Sequence, residues 1–206
     1  MQVTEARRQS KAAVARRRQI IDAAVVTLAE LGYQRASFVE ITRRAGLSST
    51  RLISYHFDGR DELMAQVASQ IIGELGAAVE SRVRGADSPA DAVCAYIEAN
   101  LTYMDGHRVE MGALTALLFA GALRISPEQG STGVEVLRMI IDAGRRAGQF
   151  RDVDPAVAAT IVQRAVEGVP LLLRDRPDAD LIGHARELVG FFDAALLRPS
   201  AARTST

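Results

Sequence analysis

The stretch Ile41–Phe57, ITRRAGLSSTRLISYHF, constrains the chain more than any other. A short amphipathic segment stops at Ala45-Gly46, a Ser/Thr/Arg-rich turn follows, and a second helical segment closes on Tyr55-His56-Phe57. Gly46 permits the sharp turn because glycine takes backbone conformations closed to other residues. Two short helices joined in this way read as a helix-turn-helix, with the reading helix expected at about Ser49–Tyr55. The residues before it then form its support and clamp, and those after it control where it points.

The flanking pattern agrees. Val14, Arg17, Ile21, Ala24, Leu28 and Leu31 recur at helical spacing, and Gly32 stands where a helix terminates in a left-handed residue. Ser37 and Glu40 form a capping-box pattern ahead of a second helix whose inner stripe is Phe38, Ile41 and Ala45. Ser48 is a candidate cap for the third helix, in which Leu52 and Ile53 face inward. A long fourth helix is expected over Asp61–Arg84, with acidic residues in its first turn, where the helix dipole favours them. Ser88-Pro89 opens a fifth, to about Asp105, and Arg108–Leu123 reads as a sixth. After a loop at Ser126–Gly130, a seventh is expected over Gly133–Ala147. Asp154-Pro155 opens an eighth that meets Pro170, and Asp178–Leu197 is the ninth. The expected fold is therefore all-α, with about nine helices. Residues 1–13 are expected as a basic flexible arm, 14–60 as the helix-turn-helix domain, 61–198 as a larger helical domain and 199–206 as a flexible tail.

Composition narrows the function. Net charge is zero over 206 residues, but residues 1–60 carry 11 Lys/Arg against 5 Asp/Glu while residues 61–206 carry 14 against 20. Such asymmetry suggests that one end meets a polyanion. No stretch approaches the ~20 consecutive apolar residues of a membrane span, and the N-terminus has no secretory apolar core, so a cytoplasmic protein without a membrane partner is expected. Cys94 is the only cysteine, which excludes an internal disulfide and any multi-cysteine metal site. It reads as a small core residue. Three isolated histidines, no paired-carboxylate motif and no phosphate loop argue against an enzyme, and no cofactor or metal is expected.

The ordered set resembles the TetR family of bacterial transcriptional regulators. It runs from a basic first helix ending in ELGY through ASFVEITRRAGLS, ISYHF and FDGRDEL, and more weakly to QFRDVDPAVAA. Three departures stand out. Arg60 occupies a position where the family usually has lysine, Ser54 one where tyrosine is common, and the interval from Gly46 to Phe57 is one residue longer than the commonest form. The resemblance implies a homodimer on double-stranded DNA carrying a palindromic operator, most simply a repressor released by a small-molecule effector. An activator, or a regulator of the same fold without an effector, is the alternative.

The candidate DNA-binding set is Ser37, Arg43, Arg44, Ser48, Ser49, Thr50, Arg51, Ser54, Tyr55, His56 and Arg60. A helix in the major groove must offer small or forked hydrogen-bonding groups to base edges, which suits Ser49, Thr50 and Arg51. Arg51 alone can grip guanine with both arms, or it touches phosphate or solvent instead. Tyr55 and His56 resemble the family's phosphate-contacting pair. Arg60, beside the free amides of a helix start, suits a phosphate, and Arg43 and Arg44 either clamp the DNA backbone or face solvent.

The second half carries two further expectations. Tyr96, Asn100, Tyr103, Met104 and His107 share one broad helical face, and with Met111, Leu114, Leu118 and Met139 they outline a mostly apolar ligand site. A buried amide at Asn100 needs a partner, either a side chain or a ligand. One reading domain covers only half a palindrome, and the resemblance points to the last two helices as the dimer interface, through Val157, Ile161, Ala165, Gly168, Leu181, Ala185, Leu188 and Phe192.

Overall fold

The computed structural model describes residues 2–123 and 127–199, with side chains described for 11–123 and 133–199. Among them are ten helical segments: α1 Gln2–Leu31, α2 Phe38–Arg44, α3 Arg51–His56, α4 Arg60–Arg84, α5 Pro89–Gly106, α6 Arg108–Phe119, α7 Pro127–Arg146, α8 Pro155–Glu167, α9 Val169–Asp175 and α10 Leu181–Leu196. α8 is the expected eighth helix. α9 follows it across Gly168 and runs on past Pro170, the expected end of that helix, because proline in the first turn of a helix loses no hydrogen bond. The all-α fold of about nine helices holds. The one β feature among the described residues is an isolated bridge between Phe150 and Leu197.

Several ends differ from the expected ones, each for a local reason. α1 takes in residues 2–13, the segment expected as an arm. α6 stops at Phe119 rather than Leu123, because Gly121 adopts φ +64° and turns the chain. α7 starts at Pro127 rather than Gly133, with proline at a helix start where its missing N–H costs nothing. Of the expected loop 126–130, Ser126 lies outside the described residues. So does the expected tail, apart from Pro199.

The chain divides into two compact units. The first joins Met1–Ile72 with Val109–Arg124 and contains the whole expected helix-turn-helix domain. Its core comprises Ile20, Ala24, Leu28, Ile41, Ile53, Phe57, Leu63 and Met64, all under 3% exposed. α6 belongs here and runs close over α1: a Cβ on Gly112 would stand 3.4 Å from that of Ala29.

The second unit joins Gly73–Arg108 with Ile125–Thr206. α5 packs on α10 and α7 on α8, burying Ile97, Leu101, Leu137, Ile141, Val162 and Leu181. Ser88 caps α5 as expected, accepting from the Asp91 amide at 3.2 Å. Cys94 is buried, as a small core residue should be, and its thiol donates to Asp193 at 3.7 Å. Gly144 leaves room for the buried Phe150 ring, which any Cβ there would overlap. Beside that ring the segments 149–151 and 196–198 are clasped: the Arg151 amide donates to the Leu196 carbonyl at 2.8 Å, and the Arg198 amide to that of Gln149 at 3.0 Å. The two guanidiniums repeat the pattern, Arg151 Nε to the Leu197 carbonyl and Arg198 Nε to that of Phe150.

Candidate nucleic-acid interface

The turn between α2 and α3 follows from the chemistry of Ala45-Gly46-Leu47. Gly46 takes φ +63°. Its amide donates to the Arg43 carbonyl, and that of Leu47 reaches the Thr42 carbonyl at 3.0 Å. This pair of bonds closes a helix on a left-handed residue and satisfies carbonyls that would otherwise be orphaned. At the other end of α2, Ser37 accepts from the Glu40 amide at 3.3 Å, half of the expected capping box. The other half is absent, because the Glu40 carboxylate holds Arg43 instead.

The helix expected at about Ser49–Tyr55 runs over Arg51–His56. Ser48 does not cap it. Its N-cap is Thr50, already helical at φ −63°, ψ −21° and without a side-chain cap bond. The first turn closes through backbone bonds from Leu52 to Ser49 and from Ile53 to Thr50. The turn at 47–50 leaves Ser48 and Ser49 exposed ahead of the helix. On α3 itself, Ile53 is fully buried, while Arg51, Ser54 and Tyr55 point outward, with Tyr55 at 81% exposure. Residues three and four apart share a helix face, so Arg51, Ser54 and Tyr55 form one open row.

The arginines of this unit separate into two kinds. Arg51 is exposed, and among the described residues it has no hydrogen-bond or ion-pair partner. Arg43 is exposed but engaged with Glu40 on its own helix. Arg44 pairs with Glu30 of α1, its side chain only 23% exposed, so it ties two helices together. Arg60 lies flat on the Tyr33 ring, its Cζ 4.0 Å from the centroid, and donates to the Tyr33 carbonyl. Planar guanidinium both stacks and donates, which the ammonium of lysine cannot match. Arg60 therefore fastens the start of α4 to the loop after α1, where the sequence suggested a phosphate contact.

Two supporting residues escape a motif search. Gln19 of α1 donates to the Ala45 carbonyl at 2.6 Å. Arg17 lies over the Phe57 ring at 4.2 Å, donates to the His56 carbonyl and reaches Glu62 at 3.3 Å. The signal for Arg17 was its position inside an apolar stripe, where a cation needs partners. His56 meets Tyr55 edge-on at 5.1 Å. Burial, and then the nearby Arg17 and Arg16, lower its imidazole below the ordinary 6.5, so the ring is neutral at pH 7.

The expected ligand residues fall in both units. In the first, Met111 is buried, Leu114 half-buried and Leu118 49% exposed. In the second, Tyr96 donates to Gln163 at 2.5 Å, in space that only glycine at 133 leaves free. Burial and the charge of Glu167 push the Tyr96 phenol up to about 12. Asn100 finds its partner in the backbone, donating to the Tyr96 carbonyl at 2.8 Å. His107 stacks on Tyr103 with centroids 3.9 Å apart, Met104 is buried, and Met139 is 52% exposed.

Of the expected dimer residues, Val157 and Ile161 are 57% and 53% exposed, Gly168 is exposed, and Ala165 and Leu188 are half-buried. Leu181, Ala185 and Phe192 are buried within the chain, on the side of α10 that packs against α5. The side of α10 turned away from them carries Gly183, Glu187, Gly190 and Ala194, flanked by Phe191 at 66% exposure.

Comparison with known proteins adds a family. Residues 20–67, which include α2, the turn and α3, match the model for bacterial regulatory proteins of the tetR family. The HTH-type transcriptional regulator BetI 1 of Chromohalobacter salexigens is 38% identical over 41% of this chain and 42% of its own length. The A-factor receptor protein of Streptomyces griseus is 28% identical over 83% of this chain and 60% of its own length. The matches thus span less than two thirds of these relatives. A solved structure bearing on the control of antibiotic production by bacterial hormones superposes with a TM-score of 0.74 at 25% identity. It covers 88% of this chain and 97% of its own. A first unit built around a helix-turn-helix and these matches together make residues 20–67 a helix-turn-helix domain of the tetR family of bacterial regulatory proteins, in a chain similar to TetR-family regulators over most of its length.

Proposed function

We propose that the chain is a DNA-binding transcriptional regulator, a cytoplasmic repressor that acts as a homodimer on a palindromic operator. The observation that carries this reading is the open row Arg51, Ser54 and Tyr55 on α3, preceded by exposed Ser48 and Ser49. The opposite side of that short helix carries Ile53, fully buried in its own unit. Arg51 supplies base discrimination through a forked contact to guanine, while Tyr55, Arg43 and His56 meet phosphate and set register. The family match supports the partner, and BetI 1 is itself named as a transcriptional regulator. Regulation rather than catalysis is the activity.

Dimerisation sets two reading helices ~34–36 Å apart on successive major grooves. Its interface is the exposed apolar stripe of α8, Val157 and Ile161 with Gly168, together with the small-residue side of α10 and Phe191. Leu181, Ala185 and Phe192 support that interface from beneath. A small, mostly apolar effector releases the DNA. The kinship with a receptor protein supports this step. A second reading, a regulator without an effector, is favoured by one observation: Asn100 and Tyr96 already bond within the chain.

Selection of duplexes from a random-sequence library, followed by titration of the recovered site, tests the proposal. A palindromic consensus bound by two chains is expected, and no enrichment at any salt concentration overturns the reading. Arg51→Ala should lose ~1–3 kcal/mol of discrimination at one base pair of each half-site while non-specific affinity changes little.

A further inference from the structure

We propose that Arg17 is the positioning residue of the reading helix, holding the carboxyl end of α3 from α1 without itself touching DNA. The inference rests on the DNA-binding reading of α3 and adds to it a residue outside the helix-turn-helix.

α3 has only six residues and ends at His56, with Phe57 as its C-cap. So short a helix has little stability of its own, and the last carbonyls of any helix lack partners inside it. Arg17 supplies one. Its guanidinium donates to the His56 carbonyl, lies over the Phe57 ring at 4.2 Å and directs a second nitrogen to Glu62 at 3.3 Å. Glu62 in turn accepts from the Asp58 amide in the turn after α3. That amide first, and Arg17 after it, hold the Glu62 carboxyl below its usual range. One planar group thus grips a carbonyl, a ring face and a carboxylate on three consecutive parts of the chain, a geometry that ammonium cannot reproduce.

Arg51 and Tyr55 sit on the same short helix. Loosening its carboxyl end tilts both, and a forked contact to guanine is lost with modest misalignment. The charge of Arg17 is matched by Glu62, so its loss releases no phosphate contact.

The test uses the full chain as wild type, Arg17→Gln and Arg17→Lys, with a duplex selected by the wild type and poly(dI–dC) as the non-specific probe. Both variants are expected to lose about tenfold or more in affinity for the selected duplex. Affinity for poly(dI–dC) and the salt dependence of binding stay as in the wild type, while hydrogen exchange at the amides of Ser54–Phe57 accelerates in both. Glu62→Gln, which weakens one of the three holds, loses specific affinity by a smaller factor. A salt slope reduced by about one, with full rescue by lysine, would make Arg17 a phosphate contact and overturn the proposal. Equal specific affinity in all three proteins overturns it as well. If the wild type selects no duplex, the DNA-binding reading itself fails. Unchanged exchange at Ser54–Phe57 in Arg17→Gln would then separately refute the hold on α3.

Discussion

The two units of this molecule keep their helices in place by different means. In the first, polar side chains cross from helix to helix and end on backbone: Arg17 on His56, Gln19 on Ala45, Arg60 on Tyr33, with Arg44 paired to Glu30. In the second, long helices lie side by side and bury Ile97, Leu101, Leu137, Ile141, Phe150 and Val162. Polar links join this unit as well, from Tyr96 to Gln163, from Arg108 to the Pro177 and Ala179 carbonyls, and in the arginine clasp of residues 149–151 with 196–198, but they tie helices already long enough to pack. Length explains the difference. α2 and α3 have seven and six residues, too few to fix an orientation by buried area, so directional bonds take over. The candidate reading surface therefore depends on hydrogen bonds for its orientation, while the second unit adds its polar links to extensive packing.

That contrast is open to attack from both ends. The largest effect is expected from Phe150→Ala, which removes a ring only 1% exposed in the second unit. About 3–5 kcal/mol of unfolding free energy should disappear, read by urea denaturation. Well below the lowered midpoint, affinity for the selected duplex should stay near wild type. A parallel loss of affinity would show that the units do not divide the labour in this way.

Gly46→Ala is expected to act the other way round. No neighbouring atom stands within 4 Å of a Cβ there, so the cost comes from φ +63° alone, about 1–2 kcal/mol. Specific DNA affinity should fall by more than that stability change implies, because the strain lies in the turn that aims α3. Titration of the variant alongside its denaturation curve separates the two.

The smallest effect concerns His56. Burial, Arg17 and Arg16 hold its imidazole below 6.5, so the fold resists protonating it. The stability contributed by the neutral ring is full above the unfolded value and declines as pH falls from there toward the lowered folded value. Phosphate reverses the preference, since an anion favours imidazolium. Duplex affinity should therefore rise a few-fold as pH drops from about 7.5 to about 5.5, and His56→Gln should flatten that rise. An equal rise in the variant would remove His56 from the phosphate contacts.

Much of this architecture was legible beforehand. Ser37 and Ser88 announced helix starts, and Gly32 and Gly46 announced stops, because caps are local chemistry written in adjacent residues. The apolar stripes likewise forecast Ile41, Ile53 and Leu63 as core. The start of α3 was less legible, since Thr50 begins it by backbone bonds alone and leaves no side-chain signature. For α10, periodicity identified the apolar side through Leu181, Ala185 and Phe192. It gave no means of telling whether that side meets α5 or a second chain.

Sequence by itself determined the helical class, the position of the helix-turn-helix and the concentration of positive charge in residues 1–60. Each depends on neighbours within a few positions or on simple counting. Only the tertiary structure decided which cations are free. Arg51 and Arg60 are the same residue type nine positions apart, yet one is open to solvent and the other lies against Tyr33. Which partner an arginine finds is settled by helices brought together from distant parts of the chain, and no local pattern encodes that meeting.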